Sequence, residues 1–289
     1  MPDRETRAGL MFLAPNAIGF LVFHAIAIVA ALGLSLTDWD VLTRPSFIGL
    51  ANYRQLAFDP VFRVAAWNTA VYVVVVVPIG VALALALAIS FQHVRHAVYP
   101  LRLAFLLPTV VSAVAVAVVW RWIYHTDYGL LNAGLSALGV RAVPWLSSSD
   151  WALPSVMLVA VWKGIGFDLI VFLAGMRAIP THLYEAAALD GASGWQRFWH
   201  VTLPLLAPTT FFVTVLSIIR AAQVFDLAYV LTGGGPANAT NTIVLAIYQS
   251  AFQLLNMGYA AAAAWVLFLF VAAATFIQTR VQPGWAYDD

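Results

Sequence analysis

Six stretches of the chain stay apolar long enough to cross a bilayer, and the polar residues gather between them. They cover about 11–36, 67–91, 101–123, 152–176, 205–228 and 258–280. A helix needs roughly 20 apolar residues to cross about 30 Å of hydrocarbon. A lipid-exposed backbone must satisfy its own hydrogen bonds, so each stretch is expected to be helical. The pattern therefore predicts an all-α polytopic membrane protein with six transmembrane helices. Pro15, Pro78, Pro108, Pro154 and Pro208 stand near the ends or in the first halves of spans and read as helix starts and kinks. The first run, Leu10–Leu36, is too long for the roughly 7–15-residue core of a secretory signal and reads as a retained span.

Composition fits lipid as the main solvent. The chain has 289 residues, 63% hydrophobic and 9% charged, against about 25% charged in a soluble domain. A net charge of +1 makes no case for nucleic acid. The absence of cysteine excludes disulfides, thiolate metal sites and thiol nucleophiles. His24, His93, His96, His125, His182 and His200 are scattered without an HExxH pattern, so no metal is expected. The one Lys-Gly pair, Lys163-Gly164, lies inside a span and lacks the phosphate-binding loop pattern. Gly233-Gly234-Gly235-Pro236 has no strand before it and reads as a turn in an outer loop. The Ala260–Ala264 run reads as close helix packing in the sixth span.

Arginine placement gives the expected orientation. With the N-terminus inside, the inner segments hold Arg4, Arg7, Arg95, Arg102, Arg177, Arg197 and Arg280. The outer side holds Arg44, Arg54, Arg63, Arg121 and Arg141. His93 and His96 add to the short inner loop between spans two and three. An even number of spans then puts the C-terminus inside as well.

Between the fourth and fifth spans lies a polar segment, 177–204, containing EAAALDGASGWQRFWHVTLP. Glu185-Ala186-Ala187 is followed after three residues by Gly191, after nine more by Val201, and then by Leu203-Pro204. Thr181 is placed to cap a helix over His182–Asp190, and Gly191 stands where a left-handed cap is expected. Trp195, Phe198 and Trp199 read as apolar anchors. The spacing resembles the EAA loop of ABC importer membrane subunits, with Val201 where that family usually has Ile. That resemblance implies that Glu185, Ala186, Ala187, Asp190, Gly191, Leu203 and Pro204 couple the chain to an ATPase, with Glu185 meeting an Arg or a backbone donor there.

The resemblance extends from Leu10 over nearly the whole chain. Trp120-Arg121-Trp122-Ile123-Tyr124, Trp162-Lys163-Gly164, Leu173-Ala174-Gly175-Met176 and Leu231-Thr232-Gly233-Gly234-Gly235-Pro236 are similar to segments of MalF-like permeases of carbohydrate ABC importers. This group also moves glycerol-phosphate compounds. The resemblance implies one transmembrane permease domain over 1–289 with the type I importer fold and cytoplasmic termini. It implies a multi-pass protein of the bacterial cytoplasmic membrane. The implied partners are a second homologous permease, an ABC ATPase dimer and an extracytoplasmic solute-binding protein. ATP and magnesium would sit on the ATPase, with no cofactor and no catalytic residue in this chain. Carried over by motif, the solute path would take Thr109, Ser112 and Ala113 from the third span. The fourth span would give Trp162, Lys163, Gly164, Phe167 and Asp168. The fifth would give Ser217, Arg220, Ala221, Gln223, Val224 and Asp226. Several of these differ from the maltose-type residues, so the solute stays open between sugars and glycerol-phosphate compounds.

Besides His24 and the arginines already assigned to the two sides, four charged residues fall inside spans: Lys163, Asp168, Arg220 and Asp226. Each costs about 2.5–3.5 kcal/mol at mid-membrane on insertion scales, so each should face a cavity or a partner. At about 100° per residue, Lys163 diverges from Asp168 by about 140° and Arg220 from Asp226 by about 120°. Partners should therefore come from other spans, with Lys163–Asp226 and Arg220–Asp168 as the candidate pairs. These charges could instead serve an ion-coupled secondary carrier, but such carriers usually show internal repeats and this chain shows no clear one. A membrane-embedded enzyme would need a convergent catalytic set, and none is visible at helical spacing.

Overall fold

The computed structural model describes residues 4–92 and 98–281. Arg95, His93 and His96, which carry part of the orientation argument, lie outside the described residues.

The chain begins with a long apolar helix, α1 (Met11–Ser35). Two short antiparallel strands follow, β1 (Thr37–Asp38) and β2 (Ser46–Phe47), in the register Thr37↔Phe47. In the loop that joins them, Asp40 accepts from the hydroxyl and amide of Thr43 and from the amide of Leu42. These bonds, Thr43's first, hold the Asp40 carboxyl below the usual carboxylate range. Their contribution is present at neutral pH and is lost as pH falls through that lowered value. Next come α2 (Ala51–Phe58), α3 (Pro60–Gln92), α4 (Val98–Val110), α5 (Ala113–Ile123) and α6 (Leu130–Ala137). The second half holds α7 (Ser149–Ala178), α8 (Thr181–Leu189), α9 (Gly194–Leu205), α10 (Ala207–Ala222), α11 (Asp226–Thr232), α12 (Ile243–Gln253) and α13 (Met257–Val281).

Helices α1, α3, α7 and α13 are each long and apolar enough to cross a membrane. The expected third and fifth spans differ from single straight helices. Arg102–Val110 and Ala113–Ile123 meet at 104°, and Gly194–Leu205 meets α10 at 65°. Counting each bent pair as one span brings the number to six. The third stretch breaks where Ser112 becomes extended (φ −52°, ψ 135°), four residues after Pro108, which has no N–H to give its own helix. The fifth stretch does not run on to 228 either. It stops at Ala222, Phe225 leaves helical geometry (φ −133°), and Asp226 opens a new helix. The helical angle between Arg220 and Asp226 therefore does not apply.

Two compact units cluster by contact, Met1–Arg63 with Ala246–Phe268, and Val64–Leu245 with Leu269–Asp289. In the first, buried Asn52 donates to the carbonyls of Ser35 and Thr37, both at 2.9 Å, and ties α2 to the end of α1. Gly258 lets the start of α13 approach the Thr37 carbonyl, where a Cβ would collide. Tyr259 Oη donates to Asp59 Oδ2, whose other oxygen caps the start of α3 by accepting from Val61 and Phe62.

The core of the second unit is a small-to-large fit. Ala84, Ala88 and Phe91 of α3 pack against Leu169, Phe172, Leu173 and Met176 of α7 and against Leu206 and Val213. Asn68 of α3 donates to the carbonyls of Asn238 (2.8 Å) and Asn241 (3.0 Å) and holds the loop after α11. Gly166 lets α7 touch α4, because a Cβ there would fall on the Phe105 carbonyl oxygen and crowd Thr109 Oγ1. A helix backbone cannot yield as a flexible side chain does. Gly166→Ala should therefore destabilise by about 1–3 kcal/mol. The measurement is the thermal midpoint of the purified protein in detergent, and an unchanged midpoint would contradict this packing.

Candidate functional site

A cleft of about 410 Å³ opens among α3, α5, α7, α10 and α11 in the second unit. Of the expected path residues, Thr109, Ala113, Lys163, Gly164, Asp168, Ser217, Arg220, Ala221, Gln223, Val224 and Asp226 line it. The breaks in the third and fifth stretches bring them together. One break opens a new helix at Ala113 that packs against α11, and the other places Gln223, Val224 and Asp226 at a bend rather than along a straight helix.

Three expected residues do not line this cleft. Trp162 lines a separate apolar pocket in the crook of the α4–α5 bend, with Leu107, Pro108, Val111, Val119 and Trp120. Its ring meets Trp120 edge-on at 5.4 Å. Five residues and about 140° separate it from Phe167, so the two cannot share a face. Phe167 instead lies under the Arg220 guanidinium, with Cζ 4.9 Å from the ring centre. Ser112 is exposed at the break and caps nothing with its side chain. The sequence reading also missed a wall. Tyr72, Val76, Val77 and Gly80 of α3 line the cleft. Val76 and Val77 belong to the unbroken valine run 73–77, which carries no signal, whereas Tyr72 and Gly80 stand on either side of it.

The charges resolve in two ways. Arg220 Nη2 donates to Asp168 Oδ1 at 2.5 Å and to Ser217 Oγ at 2.8 Å, and Ser217 donates to Asp168 Oδ2 at 3.3 Å. Asp168 is buried, with 5% of its side chain exposed, while Arg220 keeps 42%. The expected Arg220–Asp168 pair is thus formed across α7 and α10. The expected Lys163–Asp226 pair is not. Lys163 Nζ donates to the carbonyls of Pro108 (3.1 Å), Thr109 (3.4 Å) and Val111 (3.0 Å). Helix ends leave carbonyls unsatisfied, and a cation suits the negative end of a helix, so the α4 terminus outcompetes a carboxylate that does not come within 4 Å.

The 177–204 segment forms two helical arms. Helix α8 begins at Thr181 itself, with Pro180 at the cap position and no side-chain capping bond, so the expected Thr181 cap does not form. Its end is as expected. Asp190 closes the helix, Gly191 is left-handed (φ +77°), and the amides of Gly191 and Ala192 donate to Ala188 (3.1 Å) and Ala187 (2.9 Å). The second arm starts at a capping box in which Ser193 and Gln196 bond reciprocally, a pattern legible as Ser-x-x-Gln. Tyr184 and Thr202 join the arms through their hydroxyls at 3.0 Å. The apex is exposed: Glu185, Ala186 and Asp190 face outward, Leu189 is 90% exposed and Trp195 69%. Leu203 and Pro204 lie beyond the apex, in the last turn of α9.

A family of proteins described as binding-protein-dependent transport system inner membrane components matches residues 76–287. The chain belongs to this family. Among similar proteins, the sulfoquinovosyl glycerol transport system permease protein SmoG of Agrobacterium fabrum is 33% identical, over 94% of this chain and 89% of that one. The trehalose/maltose transport system permease protein MalF of Thermococcus litoralis is 34% identical, over 96% and 94%. The sn-glycerol-3-phosphate transport system permease protein UgpA of Agrobacterium fabrum is 34% identical, over 95% and 96%. Among solved structures, a chain of a bacterial alginate ABC transporter, in complex with an alginate pentasaccharide-bound periplasmic protein, superposes with a TM-score of 0.84 at 25% identity. The match covers 95% of this chain and 94% of that one. The matched inner membrane component region contains both the 177–204 arms and most of the cleft wall, from Val76 to Leu227. These relatives are transport permeases, not enzymes.

Proposed function

We propose that this chain is the permease subunit of an ATP-driven importer, forming half of the path for a di- or oligosaccharide or a glycerol-phosphate-type solute. The observation that carries the reading is the presence in one chain of an exposed, capped loop and a cleft with a few grouped polar side chains. The solute class is supported by the substrates in the relatives' names. In this reading the chain is one permease domain of six spans with the type I importer fold, counting each bent pair as one span. Both termini and the 177–204 loop face the cytoplasm of a bacterial cell. Glu185, Ala186, Ala187, Asp190 and Gly191 form the docking helix and its turn, and Leu203-Pro204 leads the load into α10. The small side chains at 186–188 let α8 enter a groove, and the left-handed Gly191 turn makes both arms one rigid body. Import then needs a second permease, an ATPase dimer that holds the ATP and magnesium, and a binding protein outside.

The cleft is suited to a polyhydroxylated solute. Its walls are mostly apolar, and its polar groups are few and placed together, as in sites that fix the orientation of a small molecule. Gln223 and the free edge of Arg220 supply donors, and Asp226 supplies an acceptor.

Purification from native membranes in mild detergent, with mass spectrometry of what stays bound, tests the reading. A second permease and an ATPase should co-purify. A lone chain or homodimer without an ATPase would refute it.

A further inference from the structure

We infer that Lys163 is a positioning residue that clasps the broken third stretch, and not a ligand of the transported solute. An ammonium group has three N–H donors and no acceptor. All three are committed here, to the carbonyls of Pro108, Thr109 and Val111. These carbonyls lie at the end of α4, where the chain turns by 104° and the helix supplies no further amide donors. Without water to satisfy them, carbonyls exposed in a membrane are costly, so the break needs a donor from elsewhere in the protein. The bond is returned: Thr109 Oγ1 donates to the Lys163 carbonyl at 2.9 Å. One turn further along α7, Gly166 allows the Phe105 carbonyl to sit against the helix, which brings the two backbones close enough for the clasp.

The clasp fixes the direction in which α5 leaves the break, and with it the placement of Thr109 and Ala113 in the cleft wall. It also leaves Lys163 no donor for a sugar hydroxyl or a phosphate, so its positive charge shapes the cleft without binding cargo. Naming the cleft as the solute path rests on the proposed function; the clasp itself does not.

The test reads the bend directly. The chain has no cysteine, so spin labels at Leu103→Cys and Val119→Cys report one distance in a transporter assembled with cysteine-free partners. Both positions are exposed, at 49% and 56%. In a straight helix the 16-residue separation would span about 24 Å, and the bend shortens it. The wild type and Lys163→Arg should give the same short distance, because arginine keeps several donors. Lys163→Met, of similar length but with no donor, should lengthen or broaden the distribution by several ångströms. A Met variant with the wild-type distribution would overturn the inference. Failure of the wild-type chain to assemble with partners counts against the transport reading, whereas the distance, read without solute or ATP, tests the clasp alone. Should the Met variant not assemble, the wild type decides, because Lys163 is the only lysine in the chain. Acetylation of its amine should be at least tenfold slower in the folded transporter than in the detergent-unfolded chain, and equal rates would overturn the clasp.

Discussion

Gly191→Pro should abolish ATP-driven uptake while leaving the chain inserted in the membrane. Gly191 sits at φ +77°, and proline locks φ near −65°. The substitution also removes the amide that donates to the Ala188 carbonyl at 3.1 Å. Both halves of the turn that ends α8 are lost, and the two arms no longer move together. No atom lies within 4 Å of where a Cβ would be, so the effect is backbone geometry rather than crowding. Gly191→Ala is therefore the graded control. It should retain part of the uptake, because a left-handed alanine costs only about 1–2 kcal/mol and makes no clash. The residue is exposed and lies outside the long apolar helices, so membrane-fraction yield and detergent solubility should match wild type. The decisive comparison is uptake and ATP hydrolysis in proteoliposomes. A correctly inserted Pro variant with wild-type uptake would remove the coupling role from this loop.

Arg220→Ala should be the most destabilising single change in the cleft. It leaves Asp168, with 5% of its side chain exposed, without its counter-ion and with only the Ser217 hydroxyl as donor. Removing one partner of a buried pair costs about 3–5 kcal/mol, and the low end applies because Arg220 is partly exposed. Loss of the guanidinium also uncovers the Phe167 ring, which adds a smaller packing term. Adding Asp168→Asn to the Arg220→Ala chain should recover most of the loss, since the uncompensated charge disappears. Thermal midpoints of wild type, both single variants and the double variant complete the cycle. Additive losses in the double variant would mean that the two side chains do not act as a pair.

Some of this was legible along the chain because it depends on local chemistry. The scarcity of charge points to a lipid environment, and hydropathy finds the apolar helices α1, α3, α7 and α13, although α3 begins at Pro60, before the stretch expected from 67. The end of α8 is a local event, and a glycine three residues after Ala188 marks a left-handed turn whatever surrounds it. The Ser193–Gln196 box was equally local and could have been read. Charge pairing was half legible. The sequence showed that Lys163, Asp168, Arg220 and Asp226 needed partners from other spans, and Arg220–Asp168 was one of its two candidate pairs.

What the sequence by itself determined, then, is where the long apolar stretches lie and the turn at Gly191. The tertiary structure alone decided where apolar stretches break and which polar groups meet. Hydropathy adds up residues and has no direction, so 101–123 stays equally apolar through a 104° bend. Pro108 allows such a break but does not require one. The donor that makes it tolerable, Lys163, lies 52 to 55 positions away from the carbonyls it serves. For the same reason Lys163 abandoned Asp226, Trp162 turned out of the cleft, and Tyr72 and Gly80 of α3 became one of its walls.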